Sequence, residues 1–268
     1  EVRAGYDDKS GALRDMFQNH LLQLLCLTAM EPPAGLDADS IRDEKVKVLR
    51  SLRPLTGDDV FKHVIRGQYG AGAINGKRVA AYRDELNVDP ESTTETYVAL
   101  EVNVDNWRWA GVPFFIRVGK RLPKSGTEIA IHFKSVPPVL FKATGESIDD
   151  NVLVIRIQPD EGISLRMSAK MPGSSLRIEP VKMDFHYGTS FGKATPEAYE
   201  RLLLDAMSGD PTLFARRDEV DEAWKFIDAI HAAWATRSND LAHYSSGTWG
   251  PGEADELITR HESTWRRL

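Results

Sequence analysis

One cysteine, Cys26, occurs in the 268 residues. A single thiol closes no disulfide framework and supports no cysteine metal cluster, so no metal is expected, and the chain reads as one kept in a reducing cytoplasm. Long apolar runs are also missing. The longest, LLQLLCLTAM, is interrupted by Gln23 and falls far short of the roughly 20 residues of a membrane span. No signal-peptide pattern precedes it, and the first residue is Glu, not Met, so the chain reads as a piece of something longer. Cationic stripes are absent and the formal net charge is -6, which removes the basic footprint that nucleic-acid binding requires. Internal repeats and low-complexity segments are absent too. What remains is ordinary: 41% hydrophobic and 28% charged residues, as in a globular protein. The length is near the size at which a single core stops growing, so one large domain or two unequal ones are both allowed.

The stretch that organises the rest is Ser10 to Met30, SGALRDMFQNHLLQLLCLTAM. It reads as one helix of about six turns, with Ser10 as N-cap and Pro32 and Pro33 past its end. From Leu21 onward it is apolar on nearly every side, the mark of a helix inside a core. Asp15, Gln18, Asn19, His20 and Gln23 crowd the half that enters it. Each buried polar group left unpaired costs roughly 1 to 3 kcal/mol, so protein partners or a polar ligand must satisfy them. A lone histidine on such a helix is more often a core residue than a catalyst. Cys26, in the apolar half, reads as an inert thiol.

Ser40 to Leu52 then reads as a charged amphipathic helix ended by Pro54, and Val60 to Tyr69 as a strand. The glycines at 70, 72 and 76 follow that strand, but no clean helix start follows them, so they read as a mobile surface loop and not as a dinucleotide turn. From Glu95 to Phe185 the pattern is of strands: Thr96 to Val104, Val112 to Val118, Glu128 to Lys134, Asn151 to Gln158, Gly162 to Lys170 and Leu176 to Phe185. Several alternate with period two, and no helix of crossover length separates them. This points to an α+β fold: a large, mainly antiparallel sheet, about residues 95–186, with helices packed on one face. Helices follow at Pro196 to Met207 and Arg217 to Arg237, within a C-terminal helical region of about 195–260. The Trp/Ile stripe of the second reads as core.

Two strand ends carry candidate polar groups. Lys120 closes GVPFFIRVGK, free to reach a cleft, and Arg156 and Gln158 share a face of NVLVIRIQPD with Val152 and Val154. A solvated lysine and a polar sheet face are the plainer readings of both. The Gly-Lys pair lacks the spacing of a phosphate-binding P-loop.

The string GYDDKSGALRDMFQNHLLQ, Gly5 to Gln23, closely resembles the segment of glucose-6-phosphate dehydrogenases that carries their catalytic histidine. The resemblance implies a general base at His20 and a sugar-binding carboxylate at Asp15. One departure is visible: the family usually has an aromatic pair before the aspartate, where this chain reads Tyr6, Asp7, Asp8. The family's G-V-P-F-x-x-R-x-G-K run carries its substrate-binding lysine onto Lys120. Many members have a second basic residue five positions later, which here is Ser125, and Lys124 beside it is read as standing in. The V-I-R-x-Q-P run places Gln158 near substrate. AYERLLLDAMSGDPTLFARRDEVDEAW and GTWGPGEADEL extend the likeness across nearly all of residues 1–268, which are read as one C-terminal domain with the lead helix at about 10–30.

The resemblance further implies oxidation of C1 of glucose 6-phosphate to the lactone, the first step of the oxidative pentose phosphate pathway, with hydride passing to NADP, or to NAD in some members. That cofactor would be bound by an N-terminal Rossmann domain that this chain lacks, as it lacks the R-I-D-H-Y-L-G-K segment, so the chain alone is expected to be inactive. Asp15 and His20 lie about 140° apart on an α-helix, and are expected to flank a sugar without touching. Of the second, structural NADP site of some members, Arg117 and Arg156 are retained, but Ser164 and Trp249 replace a tyrosine and an arginine, so no structural NADP is expected. The implied partners are glucose 6-phosphate and further copies of the chain, a dimer or tetramer through the sheet. A stand-alone hexose-phosphate-binding module and a purely oligomerising one remain as alternatives.

Overall fold

The computed structural model describes residues 3–135, 149–173, 177–192, 198–237 and 240–268. The chain forms two compact units, Glu1–Pro123 with Leu202–Arg267, and Lys124–Arg201 with Leu268.

The lead helix begins earlier than expected. Helix α1 runs Ala4–Ala12, a π-helical segment follows at Leu13–Leu21, and α2 continues it at Leu22–Ala29. Ser10 is not a cap, because it lies inside α1 with its hydroxyl donating to the Tyr6 carbonyl. The break falls at Gly11, whose φ of 70° and ψ of 164° leave helical space. A Cβ there would stand 2.3 Å from Glu95 Oε1, so only glycine fits. Helix α3 (Ala38–Arg50) starts at Asp37, whose carboxylate accepts from Ser40 N at 3.0 Å. The expected strand from Val60 opens instead as helix α4 (Asp58–His63), with Asp58 and Asp59 in its first turn, where acidic groups favour a helix start. Strand β1 begins only at Val64 and runs to Gly70. The glycine stretch after it is a hairpin, β2 (Gly72–Ile74) and β3 (Lys77–Val79), turned through Asn75 and Gly76 at φ 49° and 76°. Asn-Gly with both residues at positive φ is the turn that two-residue hairpins favour.

Strands β4 (Tyr97–Asn103) and β5 (Pro113–Gly119) belong to the first unit with β10 (Leu241–Ser245), in the order β10-β1-β4-β5. Pairing is antiparallel except between β1 and β10. Strands β6 (Thr127–His132), β7 (Val152–Gln158), β8 (Gly162–Lys170) and β9 (Ile178–His186) form an antiparallel sheet in chain order in the second unit. The fold is α+β and mainly antiparallel, but the described strands from Tyr97 to His186 are divided between two four-stranded sheets where one large sheet was expected. Between β5 and β6, Arg121 takes a φ of 56° and Pro123 lacks an N–H for a ladder. Helices α5 (Tyr187–Phe191), α6 (Ala198–Ser208), α7 (Arg217–Trp234) and α8 (Gly252–Thr259) complete the elements. Leu176, Pro196 and Glu197, at the expected starts of a strand and a helix, lie outside the described residues. None of the described helices is long and apolar enough to cross a membrane.

Helices cover both faces of the first sheet, not one. On one face Val98, Leu100 and Val102 of β4 pack with Leu13, Phe17, Leu22 and Leu25 of the lead helix, Leu49 of α3, and Ile227 and Ile230 of α7. On the other, Tyr97 and Ala99 meet Tyr69, Tyr244 and Leu257 of α8. β4 is buried at both parities from Tyr97 to Val102, as in a strand covered on both sides.

Candidate active site

The π-helical segment decides how Asp15 and His20 face each other. Its hydrogen bonds run from residue i+5 back to i, as in Leu22 N to Phe17 O, so residue i+5 stands roughly one turn above residue i. The 140° separation of an α-helix therefore does not apply, and Asp15 and His20 share a face. The helix is restarted at this point by Glu95, the residue two before β4. Its carbonyl accepts from Ala12 N at 3.0 Å and its carboxylate from Leu13 N at 3.0 Å, which caps donors that a helix start otherwise leaves open.

The polar residues of the lead helix need no ligand to satisfy them. Asn19 and His20 are exposed, which corrects the expectation of an imidazole held in apolar surroundings. Leu13, Phe17, Leu22, Leu25 and Cys26 fill the buried side of the helix, and this leaves the opposite side to the polar run. Gln23 donates to Glu219, and half-buried Asp15 pairs with Arg3 Nη2 at 3.5 Å. The buried histidine is His231 of α7, whose imidazole is pushed down to about 4 by burial and then by the charge of Arg14. Burial raises the Cys26 thiol to about 12, so almost no thiolate exists at neutral pH.

Lys120 follows β5 with its backbone held on both sides. Its N–H donates to Thr96 O at 2.9 Å, and its carbonyl accepts from Tyr244 Oη at 2.7 Å. Its ammonium donates to Asp7 Oδ2 at 2.7 Å. Arg3, the residue before α1, and Asp7, within it, each reach one of the sequence-predicted site residues. Asp7 is buried and Arg3 exposed, so the two residues at the start of α1 hold Lys120 on its inner side and Asp15 on its outer side. Lys124 and Gln158 are exposed and belong to the second unit. A cavity of about 470 Å³ beside the Glu95 cap is lined by residues including Lys9, Arg14, Glu95, His231 and Trp234, and not by Asp15, His20 or Lys120. Among the described residues no group of three or more His, Cys, Asp or Glu side chains forms a metal-ligand set.

The Arg117 guanidinium lies over the rings of both Trp249 and Trp265, at 5.3 and 4.8 Å from their centroids. Arg156 donates to His186 Nε2 at 3.2 Å. Asp7, Arg3 and Glu95 are the residues that sequence reasoning missed. The i, i+4 spacing of Arg3 and Asp7 was visible; Glu95 gave no local signal, since its helix partner is 82 positions away.

Residues 1–266 match the family model described as glucose-6-phosphate dehydrogenase, C-terminal domain. The chain belongs to that family. It is 53% identical to the glucose-6-phosphate 1-dehydrogenase of Aggregatibacter actinomycetemcomitans over 267 residues, which is 100% of this chain and 53% of that protein. To the Bacillus subtilis enzyme of the same name it is 48% identical, covering 99% and 54%. A solved glucose-6-phosphate dehydrogenase in complex with its substrate glucose-6-phosphate superposes with a TM-score of 0.86 at 37% identity, over 100% of this chain and 54% of that one. The glucose-6-phosphate dehydrogenase C-terminal domain found here thus spans about half the length of the relatives it matches.

Within this domain the Glu95 cap gives a pH-dependent prediction. Burial holds the Glu95 carboxyl above its ordinary value of 4.5. The stability tied to its protonated form is complete below that value and is lost as pH rises through the folded-state pKa. Glu95→Gln keeps an oxygen for Leu13 N–H and cannot ionise. Urea unfolding from about pH 4 to about pH 8 should show the variant gaining on the wild type as pH rises. A constant difference would place the carboxyl outside the linkage.

Proposed function

We propose that this chain is the substrate-binding and dimerising C-terminal half of an NADP-dependent glucose-6-phosphate dehydrogenase. The observation that carries the reading is the family match over residues 1–266. Two further observations support it: the likeness to a solved glucose-6-phosphate dehydrogenase in complex with glucose-6-phosphate, and the shared face of Asp15 and His20 on the π-helical segment.

In this reading His20 takes the proton of the C1 hydroxyl, because an alcohol releases hydride readily only as its proton leaves, and an imidazole is a base suited to neutral pH. The C1–H bond breaks with its electron pair, the C1–O bond becomes the lactone carbonyl, and NADP supplies the hydride acceptor. Asp15 accepts hydrogen bonds from sugar hydroxyls. Lys120, helped by Lys124, binds the phosphosugar through charge-assisted hydrogen bonds about twice as strong as neutral ones. Gln158 lies near substrate. The cofactor is assigned to the part of the enzyme outside this chain. The Gly70 to Gly76 stretch is a hairpin and offers no helix start to a pyrophosphate. No second, structural NADP is assigned to this chain. Ile163, Val181 and Met183 of the second sheet are exposed apolar residues, which supports contact between copies through that sheet.

The test is to read the coding sequence upstream of Glu1 and assay both the intact product and residues 1–268. Glucose 6-phosphate should reduce NADP with the intact protein and not with the isolated chain. A start codon at the beginning of this chain, with hexose phosphate bound and nothing oxidised, would make it a stand-alone binding module instead.

A further inference from the structure

We infer that Asp7 is the positioning residue of Lys120. This rests on the reading above that Lys120 holds the phosphorylated sugar. Asp7 is 2% exposed, and its Oδ2 accepts from the Lys120 ammonium at 2.7 Å. Its other oxygen is buried without a hydrogen-bond partner among the described residues. A buried carboxylate is stable only when paired, and Lys120 is its cation.

The lysine's side of the pair has the functional consequence. An ammonium has three N–H donors on a four-carbon stem of high rotamer freedom. Asp7 uses one donor and fixes the stem, and two N–H groups are left for phosphate or hydroxyl oxygens. The backbone on both sides of the nitrogen is already fixed by Thr96 and Tyr244, so Asp7 removes the remaining freedom before substrate arrives. The carboxylate takes no part in the chemistry. Its effect should appear in substrate affinity and not in turnover.

Steady-state kinetics of the intact enzyme test this through a double-mutant cycle. Asp7→Ala should raise KM for glucose 6-phosphate about 10-fold with kcat changed less than about 3-fold, and Asp7→Asn about 3-fold, because its neutral oxygen holds the ammonium less firmly. Lys120→Gln keeps an N–H toward Asp7 but not its cation, so the cycle is read only on variants whose thermal melting shows them folded. In that background either Asp7 change should add less than about 2-fold, since the two residues act as one unit. Asp7 effects of undiminished size in the Lys120→Gln enzyme, or no change in KM for either Asp7 variant, would overturn the inference while leaving Lys120 as the substrate's lysine. An unchanged KM in Lys120→Gln itself would instead overturn the reading on which the inference rests.

Discussion

Replacing His20 by asparagine in the intact enzyme is expected to lower kcat at least about 10²-fold while KM for glucose 6-phosphate stays nearly constant. Asparagine keeps the size and hydrogen-bonding capacity of the side chain but takes up no proton at neutral pH. The loss therefore falls on the step in which the C1 hydroxyl is deprotonated, and not on binding, which the proposal assigns to Asp15 and Lys120. The exposure of His20 agrees with this role, because a ring sealed in the core would meet no sugar. His231 makes the contrast: buried and held neutral at about 4, it packs edge-on against Trp234 at 5.4 Å between ring centroids. A near-normal rate in His20→Asn would move the base to another residue and remove the main chemical role given to this chain. Pre-steady-state measurement of hydride transfer separates this outcome from slow product release.

How much of this was legible in the sequence depends on the range of the forces involved. The strands expected between Glu95 and Gly162 were readable to within a residue or two, because β-branched alternation over TEIAIH or VLVIRIQ is set by neighbours in the chain, whereas β1 began four residues late and β2, β3 and β10 went unread. The division into two sheets was not, since pairing partners are chosen across distances that a local pattern does not encode. The second helical layer went unseen for the same reason: α8 is placed by Tyr69, Tyr97 and Tyr244 on the far face of β1, β4 and β10. In the candidate site, the identities of Asp15, His20 and Lys120 came from motif resemblance, but their geometry did not. The apolar run that begins at Leu21 was read as drawing His20 inward, whereas the core takes the other side of the helix. The π-helical register depends on a cap supplied by Glu95 from another element. Asn75-Gly76 was a legible hairpin signal that was read only as a loop.

Lys45→Met is expected to be the most damaging change to stability considered for this domain, at about 3 to 5 kcal/mol. Glu219 of α7 is 0% exposed, and its carboxylate meets Lys45 Nζ of α3 at 2.7 Å. The same Oε1 accepts from Gln23 of α2, while Oε2 is buried with no partner among the described residues. Three helices of the face that carries Asp15 and His20 are thus joined at one buried charge. Removing the lysine leaves that charge opposed only by an amide, and the cost is that of an uncompensated ion in a poorly polarisable interior, far above the value of an exposed pair. At about 2 to 4 °C per kcal/mol for a domain of this size, the thermal midpoint should fall by on the order of 10 °C. The double variant Lys45→Met with Glu219→Gln removes both charges and should recover most of the loss, because a matched neutral pair has no ion to desolvate. If the single and double variants melt together, the damage lies in the lost packing of the lysine stem and not in the stranded carboxylate. If neither differs from the wild type, the three helices are held by their apolar contacts alone, and the buried pair contributes nothing to the platform beneath the helix that carries Asp15 and His20.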